Sequence, residues 1–542
     1  MMTDRQFAAR QYAASDMPPL HAPLFLYGPP GSGKSALGQA LAQALNLPFF
    51  DLDGEIEART GQSIARIFSQ QGEAAFRQLE RELLGKCLER KERVVALGGG
   101  ALLDPGLRLK VEAAGRVICL RASLPVLHER LRSEADRRPL LAGDLYDRLA
   151  DLLAQRQGHY ASFSIQLDVD GKSLGELAWQ AQVLLGRYYL RGMASGRFPG
   201  CEVRVQAGSL AELGECLRVG GLSGPVAVVS DTNVARLYTP QALRSLEAAG
   251  YTTCLVEIPA GEEHKTLASV ERLWASFLTA GLDRTSTVVA LGGGVVGDLA
   301  GFAAATYLRG VSWVCFPTTL LSMVDASLGG KTGVDLPQGK NLAGAFHPPR
   351  LVLVDPDTLR SLPQDELRSG MAEVVKHSLI ADPELFTRCA RGWEAVAADR
   401  DWLVRRAMAV KIQIIEADPY ERGRRAALNL GHTLGHAIER ASDYRLRHGE
   451  AVAIGMLAAA RLAVQMGMAP AELASRLEAT LRGLGLPRRI PAELERGKIL
   501  EYMSADKKRS GGKIRFVLPM GVGEVRHGIE VDDPTLIFEE VT

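Results

Sequence analysis

The heptapeptide VVALGGG stands at Val94–Gly100 and again, letter for letter, at Val288–Gly294 of a 542-residue chain. Each copy reads as a short buried strand running into glycines, the pattern of a backbone that turns sharply and presses close to a ligand. An aspartate follows both copies at the same offset, Asp104 and Asp298. A duplicated domain would match outside the heptapeptide too. It does not: superposing the copies puts Lys34 on Val228, Asp53 on Glu247 and Arg77 on Glu271. The repeat is local.

Outward from the first copy, residues 23–170 alternate apolar strand-like runs (LFLYG, FFDLD, RVICLRA) with helical stretches. That is the pattern of a parallel sheet flanked by helices. A helical segment over 174–190 follows, then RGMASGRFPG (191–200), which reads as a linker. A second alternation surrounds the second copy: CEVRVQAG, PVAVVSD, TTCLVEIP, WVCFPTT, LVLVD. From about residue 359 strand signals nearly vanish and helical periodicity runs to about 497. The expected division is an extension over 1–21, an α/β domain over 22–190, the linker, a second α/β domain over 201–358 and a mainly α domain over 359–542.

Formal net charge is +1 with no long run of one sign, so nucleic acid and anionic membrane are not expected as partners. The start, MMTDRQFAARQYAAS, lacks the apolar core of a secretory signal. The apolar stretch AVAIGMLAAA (451–460) ends at Arg461, too short to span a bilayer, and reads as a buried helix. Seven cysteines are scattered with no CxxC pair, which fits reduced thiols and a cytoplasmic location and argues against a cysteine zinc site.

Directly after the strand LFLY comes GPPGSGKS (Gly28–Ser35), which satisfies G-x-x-x-x-G-K-[ST] in its expected context. The loop Gly28, Pro29, Pro30, Gly31, Ser32 and Gly33 would cradle phosphates with its N–H groups, Lys34 would reach the β and γ phosphates, and Ser35 would hold Mg²⁺. ATP is the expected co-substrate. The acceptor must come from elsewhere. FFDLD ends a strand with Asp51 and Asp53 on one face. Arg77 (EAAFRQLE), Gly98–Gly100, Arg138 (RRPLLAG) and Arg156 (AQRQGHY) follow. Arginines around a phosphate loop neutralise transferring phosphate or clamp an anionic acceptor.

Around the second copy, GGGVVGD (292–298) satisfies G-x-G-x-x-G after a strand, whereas the first copy has Leu103 at the third glycine position. Only the second copy permits the backbone approach of a dinucleotide pyrophosphate. The acidic residue expected about twenty positions on is missing, so upstream residues must hold the ribose. LNLGHTLGHAIE puts His432 and His436 one turn apart on a helix, RHGEAV adds His448, and SGMAEVVKH supplies Glu373 and Lys376. Two imidazoles and a carboxylate with one open position describe a catalytic zinc site. Thr433 occupies the general-base position of HExxH, which disfavours a metalloprotease. His377, beside Lys376, is expected to face away. Arg309, Lys331, Lys340, Lys376, Lys411 and Arg425 add cations, several against glycines, and demand an anionic substrate.

With DxD, FRxxE, GGG and RPLL in place, residues 22–185 resemble a shikimate kinase. The resemblance implies that Asp53 binds the acceptor hydroxyls and takes a proton, and that Arg77 and Arg156 grip the carboxylate. It also implies that Gly98, Gly99 and Gly100 line the shikimate pocket, that Arg138 lies on a lid over ATP, and that Asp51 positions Mg²⁺ through water. Residues 201–542, with ALGGGVVGDLAGFAAATYLRGV and SLGGKTGVDLPQGKNLAGAFHPP, resemble a 3-dehydroquinate synthase. That resemblance implies an α/β Rossmann-like NAD domain plus a mainly α metal-binding domain, with Zn²⁺ (or Co²⁺) on Glu373, His432 and His448. NAD would be held by Asp231, Thr232, Asn233, Glu262, Lys265, Gly294, Val295, Val296, Gly297, Asp298, Thr318, Thr319, Lys331, Lys340 and the run Thr358, Leu359, Arg360, Ser361. The substrate, 3-deoxy-D-arabino-heptulosonate 7-phosphate, would meet Asp325, Arg309, Lys331, Asn341, Lys376, Lys411, Arg425, Asn429 and His436. Lys507 or Lys508 would close over the site, and a homodimer through this half is expected. The competing enzyme reading is a P-loop small-molecule kinase fused to a metal-dependent polyol dehydrogenase, which a set of phosphate-gripping cations disfavours. A nucleotide-driven regulatory module without catalysis is disfavoured because both catalytic sets are complete.

Overall fold

The copies of VVALGGG become the inner strands of two different parallel sheets. The structure is a computed structural model that describes residues 19–88, 92–132, 144–193, 200–421, 423–509, 514–531 and 533–538. The chain divides into two compact units, Met1–Tyr189 and Leu190–Thr542. Residues 194–199, most of the expected linker, lie outside the described residues.

The first unit's strands are β1 (Leu24–Tyr27), β2 (Phe49–Asp51), β3 (Val94–Ala96), β4 (Arg116–Arg121) and β5 (Ile165–Asp168). They form one parallel sheet in the order β2-β3-β1-β4-β5. β1 is buried on both faces, as the apolar run LFLY requires of a central parallel strand. Helices such as Lys34–Leu45 and Leu174–Leu185 seal one face with leucines; aromatic and aliphatic side chains including Phe25, Tyr27, Phe76 and Phe163 fill the other. The helix expected over 174–190 stops at Leu185, because Gly186 takes a left-handed cap (φ 64°). Residues Arg187–Leu190 are a strand, β6, that straddles the division.

In the second unit, β7 (Cys201–Val205), β8 (Val226–Asp231), β9 (Thr253–Ile258), β10 (Thr287–Gly292), β11 (Ser312–Pro317) and β14 (Leu351–Val354) run parallel in the order β7-β14-β11-β10-β8-β9. The order reverses between β8 and β10, so a crevice opens at their carboxyl ends, where such sheets bind ligands. Between β11 and β14 an antiparallel hairpin forms from β12 (Lys331–Leu336) and β13 (Gly339–Phe346). Helices then dominate from Gln364 to Arg509, followed by a hairpin, β15 (Arg515–Gly521) and β16 (Glu524–Glu530). AVAIGMLAAA lies inside the buried helix His448–Gln465, as read. Among the described residues no helix is long and apolar enough to cross a membrane.

Three helices of this unit approach so closely that only glycine fits between them. A Cβ on Gly449 would lie 2.0 Å from Ser369 O, and one on Gly455 would lie 2.0 Å from Gly431 O. Gly455→Ala is therefore expected to destabilise the second unit by about 1–3 kcal/mol through overpacking. Calorimetry on the full chain reads this, and unchanged stability would mean that the helices can part without cost.

Candidate active sites

In the first unit the loop after β1 turns on left-handed glycines, Gly28 (φ 135°), Gly31 (φ 76°) and Gly33 (φ 91°), and hands over to the helix Lys34–Leu45. Its open N–H groups make a phosphate cradle. Lys34 Nζ curls inside the loop and donates to Gly28 O at 3.0 Å and Pro29 O at 2.9 Å. Ser35 is the second residue of that helix. Arg130, which the sequence did not single out, donates to Ser32 O at 3.3 Å. Arg138 lies outside the described residues.

The acceptor residues gather beside this loop. Strand β2 ends at Asp51 and a helix, Leu52–Thr60, begins at once. Asp51 and Asp53 therefore do not share a strand face: Asp51 caps the helix, accepting from Gly54 N at 3.3 Å, and Asp53 sits in its first turn. The cap wins because an aspartate oxygen satisfies helix N–H groups that have no other partner. Arg77 is held by Glu73 at 3.1 Å and Glu80 at 2.7 Å. Glu80 is 1% exposed; burial pushes its carboxyl up, and the adjacent Arg77 only partly opposes this. Gly98 and Gly100 let the loop lie flat against these groups. A Cβ on Gly98 would sit 2.6 Å from Glu80 Oε1 and 3.1 Å from Asp53 Oδ1, and one on Gly100 2.5 Å from Arg77 Nη2. Arg156 Nη1 donates to Gly99 O at 3.4 Å.

In the second unit a cavity of about 1690 Å³ opens at the β8/β10 crevice. Its nucleotide-like wall carries Asp231, Asn233, Glu262, Lys265, Gly294, Val295, Val296, Asp298, Thr318, Thr319 and Ser361. Asp298 lies in the first turns of the helix Gly294–Thr306 and pairs with Lys265 at 2.5 Å, and Lys265 also donates to Asn341 Oδ1 at 2.5 Å. Thr232, Gly297, Leu359 and Arg360 do not line the cavity, and Thr358 reaches it only through Tyr238, whose hydroxyl donates to Thr358 O at 3.0 Å. Lys340 lies 3.5 Å from Glu262 and over the Tyr444 ring at 4.5 Å.

The opposite wall presents His432, His436 and His448. Glu373 Oε1 is 3.9 Å from His432 Nε2 and 3.5 Å from His448 Nε2, with its carboxylate buried behind them. These ligand atoms lie within 4.8 Å of one another, close enough to share one cation. Glu373 Oε1 has no hydrogen-bond partner among the described residues, an orphan that a metal would satisfy. The far nitrogens are oriented: His432 Nδ1 meets Leu430 O at 3.1 Å and His448 Nδ1 meets Glu439 Oε2 at 3.2 Å. Glu439 was missed as a site residue, though its place two turns after His432 on the same helix was a usable signal.

Of the expected cations, Lys265, Lys331 and Lys340 line the cavity, and others lie paired around it. Lys376 pairs with Glu373. Lys411 donates to Asp325 O and Oδ1, both at 2.7 Å. Lys331 donates to Glu421 Oε2 at 2.5 Å. Arg425 is 3% exposed and donates to Pro419 O at 2.5 Å. Glu421 had no sequence signal, since it acts from a loop turn in left-handed conformation (φ 58°). Arg309, Lys376, Lys411, Arg425 and Asn429 are not among the residues that line the cavity. One expectation changes. His377 does not face away: it is fully buried, with Nε2 3.9 Å from Asp325 and 4.0 Å from Glu373. Burial pushes its imidazole down to about 4, so it packs as a neutral ring. Helix spacing explains this, because positions 373 and 377 are one turn apart on one face. The side chains of Lys507 and Lys508 lie outside the described residues.

Comparison with known proteins follows this geometry. The pattern of the shikimate kinase family matches residues 30–181. The N-terminal and C-terminal patterns of 3-dehydroquinate synthase match 255–369 and 370–509. The chain is 45% identical to a 3-dehydroquinate synthase from Synechococcus sp. over 62% of its own length and 94% of that protein. Among solved structures it resembles a 2-deoxy-scyllo-inosose synthase complexed with carbaglucose-6-phosphate, NAD⁺ and Co²⁺, at TM-score 0.59 and 27% identity, covering 66% of this chain and 99% of that one. It also resembles a 2-epi-5-epi-valiolone synthase from Streptomyces hygroscopicus subsp. jinggangensis with NAD⁺ and Zn²⁺ bound, at TM-score 0.57 and 30% identity, covering 62% and 94%.

The buried Glu439 should matter to a metal it does not touch. Zinc titrated into chelator-stripped full chain should bind about 10–100-fold more weakly to Glu439→Gln than to wild type. Equal affinities would mean that Glu439 does not orient His448.

Proposed function

The chain belongs to the 3-dehydroquinate synthase family and carries a shikimate kinase domain in the same polypeptide, and from that premise we propose how its residues divide the work. It is a bifunctional shikimate-pathway enzyme. One activity phosphorylates shikimate with ATP; the other converts 3-deoxy-D-arabino-heptulosonate 7-phosphate to 3-dehydroquinate and phosphate. Both act on small molecules. The solved synthases at 27–30% identity are named for other products, so the substrate follows the relative at 45%.

The observation that carries the synthase assignment is one cavity that presents a glycine-loop helix start, two imidazoles and lysines, with the buried Glu373 carboxylate behind the imidazoles. Glu373, His432 and His448 would hold the zinc, which would supply polarisation of a substrate hydroxyl, and a bound NAD would supply reversible hydride transfer. Asp231, Asn233, Glu262 and Lys265 hold the dinucleotide, while Gly294 lets its pyrophosphate approach the helix start. Lys331, Lys376, Lys411, Arg425, Asn341, Asn429 and His436 bind and orient the anionic intermediates and stabilise developing oxyanions. A neutral polyol would need no such cations. In the kinase unit, Gly28–Ser35 hold ATP and Mg²⁺, with Asp51 acting through water. Arg77, Arg156 and Gly98–Gly100 hold shikimate, and Asp53 accepts the hydroxyl proton.

The working division is a kinase domain over 22–190, an NAD domain over 201–358 and a zinc- and substrate-binding domain over 359–542, in a cytoplasmic protein. A homodimer through the synthase half is supported by Phe346 and Tyr420, an edge-on ring pair with each member more than half exposed.

The two substrates, supplied separately, should each give product. Lys34→Ala should abolish kinase activity and spare the synthase. Gly294→Val should do the reverse: its added carbon meets only Ala326 Cβ, at 3.6 Å, so the fold tolerates it while the pyrophosphate approach is blocked. NADH absorbance should stay near zero during synthase turnover, and steady accumulation with product would promote the polyol dehydrogenase instead. Arg77→Lys should raise the KM for shikimate far more than that for ATP, since lysine cannot reproduce the planar fork. Equal rises would make Arg77 a structural residue.

A further inference from the structure

In the kinase unit the acceptor loop hangs from one carbonyl. Gly99 O receives Tyr160 Oη at 2.8 Å and Tyr27 Oη at 3.2 Å, beside the longer contact from Arg156. Both tyrosines are buried, with ring centroids 5.5 Å apart. The Arg156 charge also lies near the Tyr160 phenol. His159 Nε2 lies 3.0 Å from Tyr27 Oη. A phenol has one proton and a carbonyl can only accept. With the Tyr27 proton on Gly99 O, His159 must carry its hydrogen on Nε2 and donate to Tyr27 Oη. Three donors thus end on one oxygen, Tyr160, Arg156 and Tyr27, the last of them backed by His159.

The protonation states agree with this wiring. Burial, with Arg108 and Arg156 nearby, holds the His159 imidazole below its ordinary range, so the ring stays neutral. Burial lifts both phenols, so both remain donors. Phe163 packs on Tyr27 and His159, at 5.2 and 5.3 Å between centroids, and Arg108 stacks over Phe163 at 4.1 Å.

Tyr27 is also the last residue of β1, immediately before the phosphate loop. The acceptor loop rests on that loop: a Cβ on Gly99 would lie 3.1 Å from Pro30 Cδ and 3.2 Å from Gly28 O. We propose that Tyr27, Tyr160 and His159 are positioning residues that lock the acceptor loop to the phosphate loop, keeping Gly98 against Asp53 and Gly100 against Arg77. The idea deepens the shikimate kinase reading and rests on it.

The test measures kcat and both KM values for the full chain and its variants. Tyr27→Phe and Tyr160→Phe should each raise the KM for shikimate about five- to tenfold, the effect of one lost hydrogen bond, with the KM for ATP nearly unmoved. The double variant should lose more than the product of the single losses, because in each single the remaining hydroxyl still holds the carbonyl. His159→Gln, whose amide can donate to Tyr27, should stay near wild type, and His159→Leu should match Tyr27→Phe. This half-buried pair decides the matter even if a tyrosine variant folds poorly. Shikimate and ATP KM values rising together, or Gln as damaging as Leu, would overturn the proposal. A wild type that leaves shikimate untouched brings down the kinase reading itself. A working wild type with unmoved variants brings down only the anchor.

Discussion

The carboxylate of Glu373 has no contact with water, and the helical part of the synthase is arranged around its charge. Burial alone would push this group up; the charges of Lys376, His432 and His448 hold it well below the usual carboxylate range. An unpaired charge in that position would cost several kcal/mol. Three helices, Gln364–Ala381, His432–Ala441 and His448–Gln465, must therefore bring their polar groups to one point. Such convergence is possible only if their backbones nearly touch. Gly431, Gly449 and Gly455 allow that, so the close packing and the metal-type cluster are two sides of one constraint.

The same solution recurs where the protein handles anions. Arg77 is braced by Glu80, Lys265 by Asp298, Lys411 by Asp325 and Lys331 by Glu421. Each cation comes with its own carboxylate, which orients it and, for Lys265 and Lys411, keeps a buried charge compensated. The pairing matters most where burial is deepest. For Lys411, burial outweighs even the adjacent Asp325 and lowers its pKa below the ordinary lysine range. For Lys265 the neighbouring carboxylates win over burial and hold it above that range. Two lysines of the synthase unit are thus tuned in opposite directions by the depth of their seats and the charges beside them.

Most ligand-type side chains were legible from the chain itself because their spacing is local. His432 and His436 one turn apart, Glu373 and Lys376 on one helix, and GPPGSGKS after a strand all announce themselves within a dozen letters. What escaped was long-range or loop-borne. Glu421 reaches Lys331 across ninety positions from a turn, and Tyr27 meets Gly99 only because β3 lies beside β1. His377 was misplaced for a related reason: the letters beside it do not say which way a side chain points.

The opening heptapeptide draws the line most sharply. Its letters alone determined that an apolar strand must run into glycines, since Val, Val, Ala and Leu seek burial and three glycines cannot extend a stable strand. They did not determine what the glycines become. In the kinase the strand stops at Ala96 and the glycines lie in a turn pressed on Glu80, Asp53 and Arg77. In the synthase the strand runs on to Gly292, and Gly294 begins a helix facing the cavity. Asp104 and Asp298 part in the same way, one capping a helix and the other pairing with Lys265. Identical residues took two conformations because glycine prefers neither, and the neighbouring strands and charges, present only in the folded sheet, supplied the preference.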